Sequence, residues 1–379
     1  MTTGYLFGPA RVDVETDTAD AGLWLAEFLT PWADAVRFGR GQTLVRHSSS
    51  GAALEILDRA AFAADARLLP CFTLDTQVIL LPGWDDGGTK VLVDQALECA
   101  YRIDGPRIDV ISRPGSRRPR LGLMRVVREV LTATALARGQ LLDLHAAAFE
   151  AGNRAVLLAG SKDVGKTTML CHALASGRAR MIANDRVLVN VEGGSREVLG
   201  VPSIVSVRPD TLRFFPQLRR GPLERPLLAH AGERELEVEG AAGAPPATRS
   251  ARDFALSPAQ LAKRLGSAGV PGAPLSTIVF PEISGDTNHW TLDRLSASEG
   301  LARLGEVVYG IRREDRVGTV LSDLCGPAAP RPAPAALVGR LAEGVQFLRC
   351  ILGPRAYQNG AAGWLDALSL DGAGDRPLP

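Results

Sequence analysis

The stretch AVLLAGSKDVGKTTML, residues 155–170, constrains the fold more than any other part of this chain. It reads as an apolar strand, a glycine, four varied residues and then Gly-Lys-Thr before an apolar segment with helical spacing. The pattern G-x-x-x-x-G-K-[ST] between a strand and a helix is typical of a loop whose backbone N–H groups wrap around phosphate oxygens. The sequence therefore predicts a phosphate-binding loop at residues 160–167.

Each part of this loop has an expected task. Gly160 and Gly165 permit the tight backbone path, Lys166 reaches the β- and γ-phosphates, and the Thr167 hydroxyl is a ligand for Mg²⁺. We therefore expect a nucleoside triphosphate and Mg²⁺ as ligands. The residues expected to surround the phosphates are Gly160, Ser161, Lys162, Asp163, Val164, Gly165, Lys166, Thr167 and Thr168.

Two further residues are candidates for the same site. Asp185 follows the next strand along the chain, in MIANDRV, where a carboxylate can complete a metal site or accept the proton of an attacking hydroxyl. The alternative for Asp185 is an ordinary turn residue at a strand end. His145 ends the strand-like LLDLH, and a single histidine is more often structural, so the spacing alone gives it no role.

Strand and helix patterns alternate from about residue 121 onward, which predicts an α/β domain with a parallel or mixed sheet covered by helices. The first part mixes short strands with one helix and predicts a smaller α+β domain. We place the domains at 1–120 and 121–370, with a disordered tail at 371–379.

Several elements are predicted individually. Helices are expected in AGLWLAEFLTPWADAV up to Pro31 and in LMRVVREVLTATALARGQ up to Gly139. A strand is expected over residues 179–193 and an amphipathic helix over 337–352, whereas residues 218–272 look like a long loop.

Composition excludes several classes of partner. Lys and Arg total 43 against 42 acidic residues, so a net charge of +1 gives no general attraction to nucleic acid or to an anionic membrane. The first residues lack the charged start and the apolar core of a signal peptide, so we expect none, and no apolar run approaches the ~18 residues needed to span a bilayer. The five cysteines form no CxxC pair, which suits a reducing compartment. We expect a soluble cytoplasmic protein with no nucleic-acid or membrane partner.

The segment LHAAAFEAGNRAVLLAGSKDVGKTTMLCHALASGRARMIANDRV resembles the core of the HPr kinase/phosphorylase superfamily, specifically the HprK-related bacterial kinases. In those relatives a Leu-His step, a Walker A loop and an acidic pair at a strand end recur in this order. VSVRPDTLRFFP, LSTIVFPEI and the C-terminal helix also resemble them. The resemblance covers residues 121 to 370.

The resemblance implies a P-loop core of the phosphoenolpyruvate carboxykinase and HPr kinase type, and a kinase that uses ATP and Mg²⁺ to phosphorylate a serine of a protein or peptide. Some relatives act in peptide natural-product pathways. By this resemblance Lys166 binds the phosphates and Thr167 binds the metal ion. His145 is an active-site histidine, and Asp185 is a catalytic and metal-binding carboxylate. Arg208 becomes a phosphate-binding arginine, with a surface salt bridge as the alternative.

The chain departs from these relatives at the acidic pair, which is Asn184-Asp185 here. An amide cannot accept a substrate proton. Asp185 therefore has to bind the metal and also act as the base, unless His145, Glu192 or Glu197 takes over one of these roles. Asp163 in the loop repels phosphate unless its side chain turns outward or pairs with Lys162. The signature of the bifunctional enzymes is absent, so phosphorylase activity and HPr as substrate are not expected.

Two other functions stay open: a nucleotide-binding module without phosphoryl transfer, and a kinase of a small metabolite. The identity of the acceptor and the oligomeric state stay open as well.

Overall fold

The computed structural model divides the chain into two compact units. The described residues are 1–39, 41–60, 66–74, 77–115, 119–192, 194, 196–219, 254–309, 319–321, 333–358, 360 and 362–368. The first unit comprises Met1–Gly139 and Arg313–Arg331, and the second comprises Gln140–Arg312 and Pro332–Pro379. The predicted disordered tail at 371–379 lies outside the described residues.

The first unit is built on a nine-stranded mixed sheet. Its strands are β1 (Thr2–Phe7), β2 (Ala10–Thr16), β3 (Asp34–Val36), β4 (Thr43–Ser49), β5 (Arg67–Leu74), β6 (Gln77–Asp86), β7 (Thr89–Asp94), β8 (Cys99–Asp104) and β9 (Arg107–Ser112). They lie in the order β3-β1-β2-β4-β9-β8-β7-β6-β5, in which β4 is parallel to both of its neighbours and the other pairs are antiparallel. The helices described here are α1 (Ala19–Leu29), α2 (Ala52–Ala60) and α3 (Pro119–Arg138).

Both helices predicted in this part of the chain are confirmed. Helix α1 begins after Thr18, whose side chain accepts a hydrogen bond from the Ala21 N–H at 3.3 Å, and it ends two residues before Pro31. Helix α3 ends at the residue before Gly139. The N-cap and the proline act locally, which is why the sequence shows these boundaries.

Helix α3 belongs to the first unit, so the structural division follows Gly139 and not residue 120 as predicted. Its buried side chains include Leu123, Val127 and Val130, and the helix packs on β2 and on α1. Removing this apolar face from water is favourable. The surface that covers it is the nine-stranded sheet of the first unit. Periodicity identified the helix but not the sheet that it covers.

The second unit contains a mixed sheet of eight strands and a separate strand pair. Its strands are β10 (Leu141–Ala151), β11 (Arg154–Ala159), β12 (Arg180–Ala183), β13 (Arg186–Asn190), β14 (Glu197–Gly200), β15 (Val205–Val207), β16 (Phe254–Leu256), β17 (Gly272–Ile283), β18 (Trp290–Arg294) and β19 (Gln346–Leu352). Its described helices are α4 (Lys166–Ala175), α5 (Pro209–Leu212), α6 (Pro258–Arg264), α7 (Ala297–Gly305), α8 (Pro334–Leu341) and α9 (Ala362–Ala367), with a 3₁₀ turn at Pro216–Arg219.

Three parallel strands set the position of the predicted loop. Strand β17 lies between β11 and β19 and runs parallel to both, whereas β10, β12, β13, β14 and β18 pair antiparallel with their neighbours. The loop leaves the carboxyl end of β11, and α4 then packs over β10 and β11. In open α/β sheets the carboxyl ends of parallel strands are where ligands bind. The predicted α/β class is confirmed, with a mixed sheet in each unit.

The helix predicted over residues 337–352 is wrong in its second half. Helix α8 ends at Leu341, and β19 begins at Gln346 and enters the sheet beside β17. Gly344 lies between them with φ of +72°, in the left-handed region that ends helices. The apolar residues of this segment fit either period, so spacing alone did not identify the glycine as the break.

Two further expectations change in detail. The strand predicted over 179–193 is two strands, β12 and β13, because the chain bends at Asn184 and Asp185. Of the segment 218–272, residues 220–253 lie outside the described residues, and the described part is not all loop. Helix α6 begins after its N-cap Ser257, whose hydroxyl accepts from the Gln260 N–H while the Gln260 side chain accepts from the Ser257 N–H. The sequence pattern S-x-x-Q is typical of this reciprocal capping.

Candidate functional site

The predicted loop has the backbone path that its glycines require. Gly160 has φ of +155°, Asp163 of +73° and Gly165 of +99°. A Cβ atom at Gly165 would lie 3.3 Å from Leu352 Cδ1, so the loop also lies close to the end of β19. Asp163 is a non-glycine residue at positive φ, a strained conformation that clusters at functional sites.

The amino terminus of α4 is open to an anion. Its N-cap is Gly165, which offers no side-chain acceptor, and the first turn contains no acidic residue. The first N–H groups of a helix have no partner within the helix, and the helix dipole adds a partial positive charge there. A strand, this loop and an uncapped helix amino terminus together form the geometry that binds phosphate.

Lys166 is buried, and its ammonium group is held against the loop. Its Nζ donates to the Gly160 carbonyl at 2.8 Å and to the Ser161 carbonyl at 2.7 Å, and it lies 3.1 Å from His145 Nε2. The charge is therefore placed at the loop before any phosphate binds. Phosphate oxygens are stronger acceptors for an ammonium than neutral carbonyls are.

His145 links the loop to the predicted carboxylate. Its Nε2 contacts the Lys166 ammonium, which can only donate, so Nε2 is the acceptor and the imidazole proton lies on Nδ1. That Nδ1 is 3.3 Å from Asp185 Oδ1 and 3.3 Å from the Tyr309 hydroxyl. The structure thus brings Lys166, His145 and Asp185 together, as expected from the resemblance.

Next to this histidine lies an ion pair that sequence reasoning missed. Arg186 donates from Nε to Asp143 Oδ1 at 2.9 Å and from Nη2 to Asp143 Oδ2 at 2.6 Å, and both side chains are buried. Two signals were present: Asp143 shares a strand face with His145 because strands have a period of two, and Arg186 directly follows Asp185. The pair fixes the strand ends that carry the candidate site.

Tyr309 was also missed, and nothing local predicts it. Its ring meets the His145 ring edge-on with centroids 6.3 Å apart, and the Arg186 guanidinium lies 5.5 Å from its centroid. Tyr309 follows α7, far from the loop in sequence. Only the assembled sheet brings it here.

Of the three residues proposed to share the duty of the missing carboxylate, the structure brings only His145 to Asp185. Glu192 and Glu197 are exposed and lie at the other end of β13. At about 3.3 Å per strand residue that end is roughly 20 Å from Asp185. Both glutamates are therefore corrected to residues outside the site.

Asn184 is buried, and its Oδ1 has no hydrogen-bond partner among the described residues. A buried oxygen without a donor costs about 1–3 kcal/mol. A carboxylate at this position would bury a charge without a hydrogen-bond donor at this oxygen among the described residues, which favours an amide over a carboxylate there.

Arg208 pairs with the loop itself. Its Nη2 lies 2.7 Å from Asp163 Oδ1, and both side chains are about half exposed. The predicted partner of Asp163, Lys162, is replaced by Arg208. The structure thus shows Arg208 in a salt bridge, the alternative interpretation, and this pair lies at the loop that is predicted to bind phosphate.

The remaining loop residues are arranged in two ways. Ser161 and Lys162 have exposed side chains, whereas Val164 and Thr167 are half-buried. The Thr168 hydroxyl lies 2.7 Å from the Thr211 hydroxyl and so ties α4 to α5. The Thr167 hydroxyl and the Asp185 carboxylate are hard oxygen donors, the type that Mg²⁺ takes together with water and phosphate oxygens.

A group of four aromatic rings, called the ring cluster below, lies against α4. Its members are His172 on α4, Phe214 and Phe215 after α5, and Tyr357 after β19. The His172 and Tyr357 rings stack with centroids 3.9 Å apart and planes at 8°. Phe215 meets the His172 ring edge-on at 4.6 Å. Burial lowers the pKa of His172 from 6.5 to about 4, so this imidazole is neutral near pH 7.

The lowered pKa of His172 predicts acid sensitivity. The unfolded chain takes up this proton near pH 6.5 and the folded protein only near pH 4, so stability falls as pH drops through that window. From pH 7 to pH 5 this histidine should cost about 2 kcal/mol of unfolding free energy. Urea unfolding at both pH values should show the loss in the wild type and in His289→Phe, whose histidine is exposed. A loss just as large in His172→Phe would contradict the assignment.

The described part of the chain, the candidate site included, contains no cluster of three or more His, Cys, Asp or Glu side chains that could hold a metal ion. No helix within the described ranges has the length and the apolar run that crossing a membrane requires. Searches of protein families and of curated proteins found no match to this chain.

Proposed function

We propose that this protein is an ATP- and Mg²⁺-dependent kinase that phosphorylates a hydroxyl group, that of a serine or threonine in a peptide or protein. One observation carries the proposal: Lys166 at the loop, His145 and Asp185 form a continuous chain of contacts. A nucleotide-binding loop alone requires the lysine. Phosphoryl transfer in addition needs a base near the phosphates, and here His145 connects the Asp185 carboxylate to Lys166.

The chemistry follows from where these groups lie. The loop N–H groups and Lys166 bind the β- and γ-phosphates, and a metal ion held by Thr167 and Asp185 would add positive charge to the phosphate oxygens. The acceptor oxygen attacks the γ-phosphorus, the bond from that phosphorus to the bridging oxygen breaks, and ADP leaves. Asp185 accepts the hydroxyl proton, and His145 Nδ1–H holds the carboxylate in place.

We also propose that the second unit is an HprK-related core with the phosphoenolpyruvate carboxykinase type of P-loop fold. The order of Leu144-His145, the loop and Asn184-Asp185 supports this, as does the convergence of His145 and Asp185 on Lys166. The resemblance alone supports a serine or threonine of a peptide as the acceptor, and it alone supports a role in a peptide natural-product pathway.

One observation favours a second candidate, a nucleotide-binding module with little phosphoryl transfer. Asn184 stands where the relatives have a second carboxylate, which leaves Asp185 as the single acid at this strand end. A slow kinase is still compatible with one acid, because positioning and charge neutralisation supply most of the acceleration in phosphoryl transfer. A kinase of a small metabolite has no such observation behind it.

Labelled γ-phosphate separates these functions. The protein is incubated with Mg²⁺, γ-labelled ATP and a cell extract fractionated by size, and the label is followed by mass. We expect label on serine or threonine of a peptide or protein. Label on a free metabolite would replace the acceptor class, and ATP binding without any labelled product would establish the nucleotide-binding module instead.

A further inference from the structure

The ring cluster adjoins the phosphate loop through two contacts. Thr168, one helical turn before His172, bonds to Thr211 of α5, which is followed closely by Phe214 and Phe215. Tyr357 follows β19, whose last residue lies beside Gly165 of the loop. The cluster therefore lies on the side of the loop where the ends of β19 and α5 meet α4.

Two polar atoms inside this cluster have no partner in the described part of the chain. They are His172 Nε2 and the Tyr357 hydroxyl, and both are buried. Each such atom costs about 1–3 kcal/mol while it lacks a partner, so a ligand that supplies a hydrogen bond to it gains affinity. A tyrosine hydroxyl donates, and the neutral imidazole nitrogen donates or accepts according to its tautomer.

One member of the cluster also offers a ring to solvent. Phe214 is 38% exposed, whereas its neighbour Phe215 is 3% exposed. The Arg213 guanidinium lies 4.9 Å from the Phe214 ring centroid. An exposed aromatic ring, a cation and two unpaired polar atoms suit a flat heteroaromatic ligand that carries both hydrogen-bond donors and acceptors.

We propose that the ring cluster is the subsite for the purine base of the nucleotide whose phosphates the loop holds. The base stacks on Phe214, and its edge supplies the hydrogen-bond partners of Tyr357 and His172. Because those two atoms are buried, the exposed Phe214 ring has to rotate for the base edge to reach them. The proposal rests on nucleotide binding by the loop, and it adds the residues that select the base.

Binding of ATP and of inorganic tripolyphosphate, each with Mg²⁺, tests the base and the phosphates separately. Tyr357→Phe keeps the ring and removes the unpaired hydroxyl, and we expect about five-fold weaker ATP binding with unchanged tripolyphosphate binding. Phe214→Ala should weaken ATP binding about ten-fold, again without effect on tripolyphosphate. Phe38→Ala is the matched control, since Phe38 is 36% exposed and lies in the first unit, and it should change neither affinity.

The outcomes distinguish the two proposals. If Tyr357→Phe binds ATP as the wild type does and melts at a higher temperature, the ring cluster is a purely structural contact and the base subsite is wrong. If the wild type binds tripolyphosphate as tightly as ATP, the base subsite fails while the phosphate loop stands. If the wild type binds neither, both proposals fail. CTP binding as tight as ATP binding would remove the preference for a purine.

Discussion

Lys166→Ala is expected to lower the affinity for Mg²⁺-ATP about 100-fold or more. The ammonium group is already held at the loop by the Gly160 and Ser161 carbonyls, so the wild type spends little ordering entropy when it meets phosphate. Losing charge-assisted hydrogen bonds worth ~3 kcal/mol corresponds to two orders of magnitude in the dissociation constant. Calorimetric titration of both proteins measures the difference.

The control for this variant is Lys263→Ala, which removes an exposed lysine from α6 of the same unit. It should bind ATP as the wild type does. Circular dichroism at the titration temperature verifies that both variants are folded. ATP affinity in a folded Lys166→Ala that matches Lys263→Ala would mean that the loop does not bind the phosphates.

Asp185→Asn should reduce phosphoryl transfer by about 10²–10⁴-fold at saturating ATP, the range that a general base contributes. The amide has nearly the same shape and can still contact His145, but it cannot accept the acceptor proton. With Asn184 beside it, no carboxylate would remain at this strand end. The measurement is the initial rate of transfer of labelled γ-phosphate, with Asp293→Asn, an exposed residue of β18, as the control.

Asn184→Asp gives the strand end two carboxylates, as in the relatives, and tests whether the second one supports metal binding and phosphoryl transfer. Because the Asn184 side chain is buried, a carboxylate there should lower the melting temperature without metal and regain stability with Mg²⁺, while transfer is kept or increased. Equal transfer rates in wild type and Asp185→Asn would remove Asp185 from the mechanism and leave His145 as the candidate base.

The parts of the site that the sequence predicted are those with local causes. The loop needs glycines where its backbone takes positive φ, and Gly160 and Gly165 do so. A lysine at the start of α4 reaches back to the loop carbonyls because helix side chains lean toward the amino terminus. Asp185 follows the same logic, since it stands in the bend that ends β12.

The parts that were missed depend on tertiary structure. Tyr309 and Tyr357 reach the site and α4 from segments distant in sequence, and no period or spacing relates them to the loop. Asp163 pairs with Arg208 across the same kind of distance. The segment that forms β19 was predicted as helix because its apolar spacing fits two periods, and only the position of the strand beside β17 decides between them.

Hydrogen exchange of the loop amides tests the central claim most directly. Mass spectrometry of the peptide that covers residues 155–170, with and without Mg²⁺-ATP, reports whether the N–H groups at the start of α4 gain an acceptor. We predict that ATP slows exchange in this peptide of the wild type and leaves Lys166→Ala unchanged at the same concentration. Saturating ATP that slows exchange elsewhere in the chain, with this peptide unaffected, would contradict a phosphate site at the loop.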